Sequence, residues 1–197
     1  MTYVLVLFVS RSGHVAKLAR AIGDGIERAG IEAKLRVAPP VRPINEPIET
    51  VKDVVDKNGY LFVSHQDLAN CDGLAMGSPA RFGTPAAPLK SFLETTSDIW
   101  VSGTLIDKPA GVFTSASSLH GGQEGVLQGL MMPLLHHGMV IMGLPYSEPG
   151  LASKTGGGTP YGPSHHDADE LKPHEEKLAE SLGKRLAKWV IKSAQNN

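Results

Sequence analysis

Residues 4–15 read Val4-Leu5-Val6-Leu7-Phe8-Val9-Ser10-Arg11-Ser12-Gly13-His14-Val15. The run from Val4 to Val9 is apolar without interruption, as in a parallel strand buried on both faces. Ser10 to His14 break it, and Val15 opens an amphipathic helix. A buried strand that hands a polar loop to a helix N-terminus makes a phosphate site, because the free N–H groups and the positive end of the helix dipole both favour an anion. The loop carries no Gly-Lys-Ser/Thr, so it is not a nucleoside-triphosphate loop. It carries no Gly-x-Gly-x-x-Gly, so it is not a dinucleotide fingerprint. Two serine hydroxyls suit a terminal phosphomonoester better than a bridging pyrophosphate. The reading is a mononucleotide, of which FMN is the usual one in such a fold; a plain strand–helix turn is the alternative.

Outward from this stretch, strands and helices alternate. Val15, Leu18, Ala19, Ile22 and Ile26 form the buried stripe of a first helix, with Gly30 as its C-cap. Ile31 to Val37 alternates apolar and polar residues, as a strand near a sheet edge does. Pro39, Pro40, Pro43 and Pro47 mark a loop, and Tyr60 to Val63 is a candidate short strand. Cys71 to Gly77 reads as the next buried strand, followed by a turn-rich loop and a helix with Pro85 at its first position. Ala110 to Thr114 is another strand. The helix after it carries Val126 to Leu135, with a kink expected at Pro133. Met139 to Met142 reads as the last strand, and a final helix begins near Pro173, with Glu175 and Glu176 placed for the helix dipole. This order predicts an α/β protein, a single domain over residues 1–197, with a doubly wound five-stranded parallel sheet and helices on both faces. Ligands in such sheets bind outside the carboxyl ends of the strands. The loops after Val9, Gly77 and Thr114 therefore share one edge.

Bulk composition narrows the function classes. The formal net charge is −1 and no block of like charges occurs, so there is no electrostatic footprint for nucleic acid or an anionic membrane. The N-terminal apolar run is too short to span a bilayer, and no integral membrane segment is expected. The single cysteine, Cys71, excludes an intrachain disulfide framework and fits a reducing cytoplasm. It begins a buried strand and reads as an inert core thiol. Eight histidines are present, but His136-His137 and His165-His166 are adjacent pairs without cysteine partners, so no metal site is expected.

Five segments, in order, carry a resemblance. They are Ser10-Arg11-Ser12-Gly13-His14, Gly77-Ser78-Pro79-Ala80-Arg81-Phe82-Gly83, His120-Gly121-Gly122-Gln123-Glu124, His136-His137-Gly138-Met139 and Gly157-Gly158-Thr159-Pro160-Tyr161-Gly162. Together they resemble the WrbA-type NAD(P)H:quinone oxidoreductases, flavodoxin-like proteins first described as tryptophan-repressor-binding proteins. The resemblance covers nearly the whole chain. It implies a flavodoxin-like fold, FMN as cofactor, NADH or NADPH as co-substrate, a homotetramer, and two-electron reduction of quinones to hydroquinones in a ping-pong cycle.

The resemblance also implies residue roles. Ser10, Arg11, Ser12, Gly13, His14 and Val15 form the phosphate loop. Ala80, Arg81 and Phe82 line the isoalloxazine ring. Ser115, Ala116, Ser117, Ser118 and Leu119, with Gly121, form the next flavin loop. His136 reaches the flavin or the reacting quinone as the catalytic candidate, and Trp100 is the substrate-side candidate, with core or subunit interface as its alternative. The family often has tyrosine at the position of Ser12, a residue associated with the nicotinamide, and the Ser118-Leu119-His120 loop is one residue longer than in some relatives. Rival readings on the same features are a flavodoxin-type electron carrier, a nitro- or azo-reductase, and a regulatory partner of a DNA-bound repressor.

Overall fold

The computed structural model describes residues 2–41, 55–166 and 170–195. Pro43 and Pro47 of the proline-rich segment lie outside these. The first strand, β1 (Tyr3–Phe8), is buried at every position. It lies between β2 (Glu32–Val37) and β3 (Gly73–Pro79), followed outward by β4 (Pro109–Ala116) and β5 (Val140–Ile141), all parallel, in the order β2-β1-β3-β4-β5. This is the flavodoxin-like arrangement, with its switch point between β1 and β3. β2 holds the edge, as its alternation predicts, and is mostly half-buried.

Successive side chains on β1 take opposite faces. Leu5, Leu7 and Val9 face one core with α3 (Ala87–Glu94) and α5 (Gln123–His136), through Leu89, Phe92, Val126, Leu130 and Leu134. Val4, Val6 and Phe8 face the other core with α1 (His14–Glu27) and α6 (Pro173–Gln195), through Leu18, Ile22, Leu182 and Leu186. On this second face two glycines let the helix backbones touch. A Cβ on Gly183 would lie 2.0 Å from the Ile22 carbonyl oxygen, and one on Gly25 2.1 Å from that of Glu180.

The structure differs from the sequence reading in four places. The helix expected to start at Pro85 starts at Ala87, because residues 81–84 close their own turn and Ser78 Oγ takes the Ala86 N–H at 2.7 Å. Tyr60 to Val63 forms only isolated bridges, Val37 to Phe62 and Val55 to Leu61. Two short helices, α2 (His65–Ala69) and α4 (Ser97–Val101), carry too few apolar repeats to show a period. The fifth strand position is split. β5 pairs with Pro109 and Ala110 of β4, and a later strand, β6 (Ser164–His166), pairs with Thr114 to Ala116. Met139 to Met142 is therefore not the last strand. The helix with Pro133 continues through it to His136, since a proline this near the C-terminus removes only one helical bond.

Candidate cofactor site at the carboxyl edge of the sheet

β1 ends at Phe8, and the chain turns through Ser10 to His14 into α1. Gly13 is the N-cap, at φ 94°, and no side chain caps the helix there. No acidic residue stands in the first turn. Ser10 Oγ accepts the Ala16 N–H at 3.3 Å, which ties the loop back over the first turn. Nothing lies within 4 Å of the point where a Cβ on Gly13 would sit. Arg11 and Ser12 are exposed, Ser10, Gly13 and His14 half-buried, and Val15 buried. The result is an open, cation-like cradle for an anion.

Beside it, the β3 and β4 ends are bound into one platform. Thr114 Oγ1 donates to the Ser78 carbonyl at 2.7 Å, and Ala80 N–H to that of Ser115 at 2.7 Å. Arg81 and Thr84 exchange backbone bonds of 2.9 and 3.1 Å and close a tight turn. At its tip Phe82 takes φ 52° and is fully exposed. A large aromatic side chain in left-handed backbone and entirely in water points to a missing contact. Ala116 is half-buried and Ser117, Ser118 and Leu119 are exposed; Ser118 accepts bonds from Gly121 N–H and Gln123 Nε2. A Cβ on Gly122 would lie 3.1 Å from Gly83 Cα, so this loop and the Phe82 turn touch. Loops from β1, β3 and β4 thus meet at one edge.

A group that sequence reading missed lies behind the first loop. His165, on β6, is 1% exposed; its Nδ1 lies 2.7 Å from Glu175 Oε2. Glu175 is completely buried and also accepts the backbone N–H groups of Gly157 and Lys172. The sequence placed Glu175 correctly in the first turn of α6, the position that reaches back to a helix N-cap. Its histidine partner belongs to a strand that follows a loop, and no local spacing marks it. The His165 ring stacks on that of His14, with centroids 5.4 Å apart. Burial first, then His165 and Lys17, push the His14 imidazole below its ordinary pKa, against Glu170, which raises it.

His136 and Trp100 stand elsewhere. α5 starts beside the carboxyl end of β4 and runs back to the segment before β5, which pairs with the amino end of β4. Its 14 residues span about 20 Å, at roughly 1.5 Å each. His136 is exposed at the far end, where its carbonyl accepts Trp100 Nε1–H at 2.8 Å. Both line a groove of about 1220 Å³ along α3 and α5, which reaches from Arg81 and Phe82 at one end to His136 and His137 at the other. Within one chain, the structure brings the β1, β3 and β4 loops together and leaves His136 and Trp100 apart from them. His137 turns inward, 3.3 Å from Thr96 Oγ1; burial, then His136, lowers its pKa. Cys71 is fully buried, and burial pushes its thiol up to about 12. Among the described residues no helix is long and apolar enough to cross a membrane.

Comparison with known proteins agrees with this geometry. Residues 3–148 match the family described as NADPH-dependent FMN reductase. A protein named NAD(P)H dehydrogenase (quinone) from Chromohalobacter salexigens is 38% identical, over 98% of this chain and all of that one. Another of that name from Sinorhizobium fredii is 36% identical, over 83% of this chain and 82% of its own. Among solved structures, a WrbA-like flavodoxin from Agrobacterium tumefaciens superposes with TM-score 0.71 at 23% identity, covering 98% of this chain and 99% of that one. An unguarded helix N-terminus, two serine hydroxyls and a three-loop platform suit a flavin mononucleotide, and the chain belongs to the NADPH-dependent FMN reductase family.

Proposed function

We propose that this protein is an FMN-dependent NAD(P)H:quinone oxidoreductase that reduces quinones to hydroquinones by two electrons. The carrying observation is the convergence of three strand-end loops on one open helix N-terminus. The relatives named NAD(P)H dehydrogenase (quinone) support the choice of substrates. FMN, when bound, supplies the hydride chemistry that amino-acid side chains lack. Ser10, Arg11, Ser12, Gly13, His14 and Val15 hold its phosphate with N–H groups and hydroxyls. Ala80, Arg81 and Phe82 line the ring. Ser115, Ala116, Ser117, Ser118, Leu119 and Gly121 offer backbone N–H groups where negative charge develops.

Nicotinamide and quinone use one place in turn, which makes the kinetics ping-pong. His136 and Trp100 serve this place from a neighbouring copy of the chain. There Trp100 is a flat wall for the quinone and His136 a hydrogen-bond donor to the developing oxyanion. The exposed Phe82 ring supports that reading, as do the half-exposed Trp100 and Met132 side chains along the same groove. The assembly is a homotetramer. The whole chain works as one flavodoxin-like unit, and its one cysteine, a buried free thiol, fits the cytoplasm.

The testing experiment is a visible spectrum of the purified protein, then anaerobic NADH or NADPH, then benzoquinone. Loss of the yellow colour with nicotinamide and its return with quinone support both half-reactions. A protein that stays colourless after incubation with FMN and desalting overturns the reading.

A further inference from the structure

His14 belongs to the phosphate loop, but the His165–Glu175 pair stacked behind it has no part in the function derived so far. Its geometry is nonetheless that of a built site. Glu175 accepts three donors, two from backbone and one from His165 Nδ1. These bonds orient the His165 ring, with Nδ1 turned to the carboxylate and Nε2 turned away from it. Among the described residues the buried Nε2 has no partner, and neither has the buried Nδ1 of His14. Unpaired buried nitrogens cost free energy unless some state of the protein uses them. The two rings stack at the open N-terminus of α1, beside the cradle at Gly13.

We propose that this imidazole pair takes up one proton when a dianionic phosphomonoester enters the Ser10–Val15 loop, so that His165, steadied by Glu175, is a positioning residue that couples cofactor retention to pH. The proposal rests on the FMN reading above. In the free protein a charge on His14 would face the His165 ring, Lys17 and the helix dipole, while the Glu175 carboxylate behind His165 acts the other way. Glu170 is bound to Lys17 at 2.8 Å. Among the described residues, His166 on β6 and His174 on α6, each with a buried Nε2 lacking a partner there, and Arg11 in the loop are the other titratable groups of these segments. A phosphate dianion reverses the local balance. The proton it draws in gives the stacked pair a further N–H donor beside the anion, with the His165 ring held in place by Glu175.

The test is calorimetry of FMN binding to the apoprotein at about pH 7.5, where the ligand phosphate, with its second pKa of about 6, is already mostly dianionic. Two non-phosphate buffers of contrasting ionisation enthalpy are compared. The expected result is a buffer-dependent enthalpy corresponding to net proton uptake, and an FMN dissociation constant that rises up to about tenfold per pH unit above that. Riboflavin, which lacks the phosphate, gives no buffer dependence. His165→Gln keeps a polar side chain, and it removes most of the uptake while FMN still binds. Equal enthalpies for the unaltered protein in both buffers overturn the proposal without recourse to any variant. Uptake that survives in H165Q and vanishes in H14Q removes His165 from it. Failure of the apoprotein to bind FMN in either buffer overturns the cofactor reading instead.

Discussion

Arg81 and Trp100 carry different expectations although both border the same groove. The Arg81 guanidinium lies 5.8 Å from the Phe82 ring centroid on a turn held only by the Arg81–Thr84 bonds. Arg81→Ala is expected to weaken FMN retention about tenfold or more, the usual cost of one charge-assisted bond; flavin content after gel filtration checks it. Trp100→Ala is expected to raise the quinone KM roughly 2- to 12-fold, the equivalent of the 0.5–1.5 kcal/mol of an aromatic contact, and the nicotinamide KM less. Equal small changes would make Trp100 structural. At this scale the strand–loop–helix turn at Ser10 to Val15 was legible, because an apolar run, a polar break and an amphipathic stripe adjoin in sequence. The His165–Glu175 pair was not. Its members meet only once β6 has joined β4, and neither carries a mark of that meeting.

Elements were legible where their period was long. β1, α1, β3, β4, α5 and α6 follow from apolar runs and stripes. α2 is one turn, held by the Ser64–Asp67 capping box rather than by any stripe. Burial alone would raise the Asp67 carboxyl, but the Ser64 N–H and Oγ and the Arg36 guanidinium outweigh it and hold the pKa low. A carboxylate depressed in the folded state adds stability above its unfolded pKa, about 3.9, and loses it as pH falls through the lower folded value. Asp67→Asn is therefore expected to lower urea stability at neutral pH, with the difference closing below about pH 4. Gly183→Ala tests the α1–α6 crossing. A Cβ at 2.0 Å from the Ile22 carbonyl must push the helices apart, at a cost on the order of 1–3 kcal/mol, read as a lower urea midpoint.

At the scale of the whole molecule, the parallel sheet with helices on both faces followed from strand–helix alternation, while the split fifth position did not. A two-residue β5 and a three-residue β6 are too short for a pattern. If FMN binds the folded protein alone, a 100-fold excess over its Kd adds about 2.7 kcal/mol. For a chain of 197 residues that is a rise in Tm of roughly 5–10 °C, measured with and without FMN. Riboflavin should give a smaller rise.

The split strand also sets an order of synthesis. β6 and α6 leave the ribosome after β1 to β5, yet β6 joins the ladder at the end of β4 and α6 shares with α1 the cover of one face of the sheet. Until they emerge, Val4, Val6, Phe8 and the inner side of α1 have no cover from the C-terminal helix, and the Ser10 loop lacks the His165 ring behind it. The nascent chain must therefore carry a partly covered apolar face until α6 emerges. Cover for the second core and backing for the Ser10 loop arrive together, late in the order of synthesis.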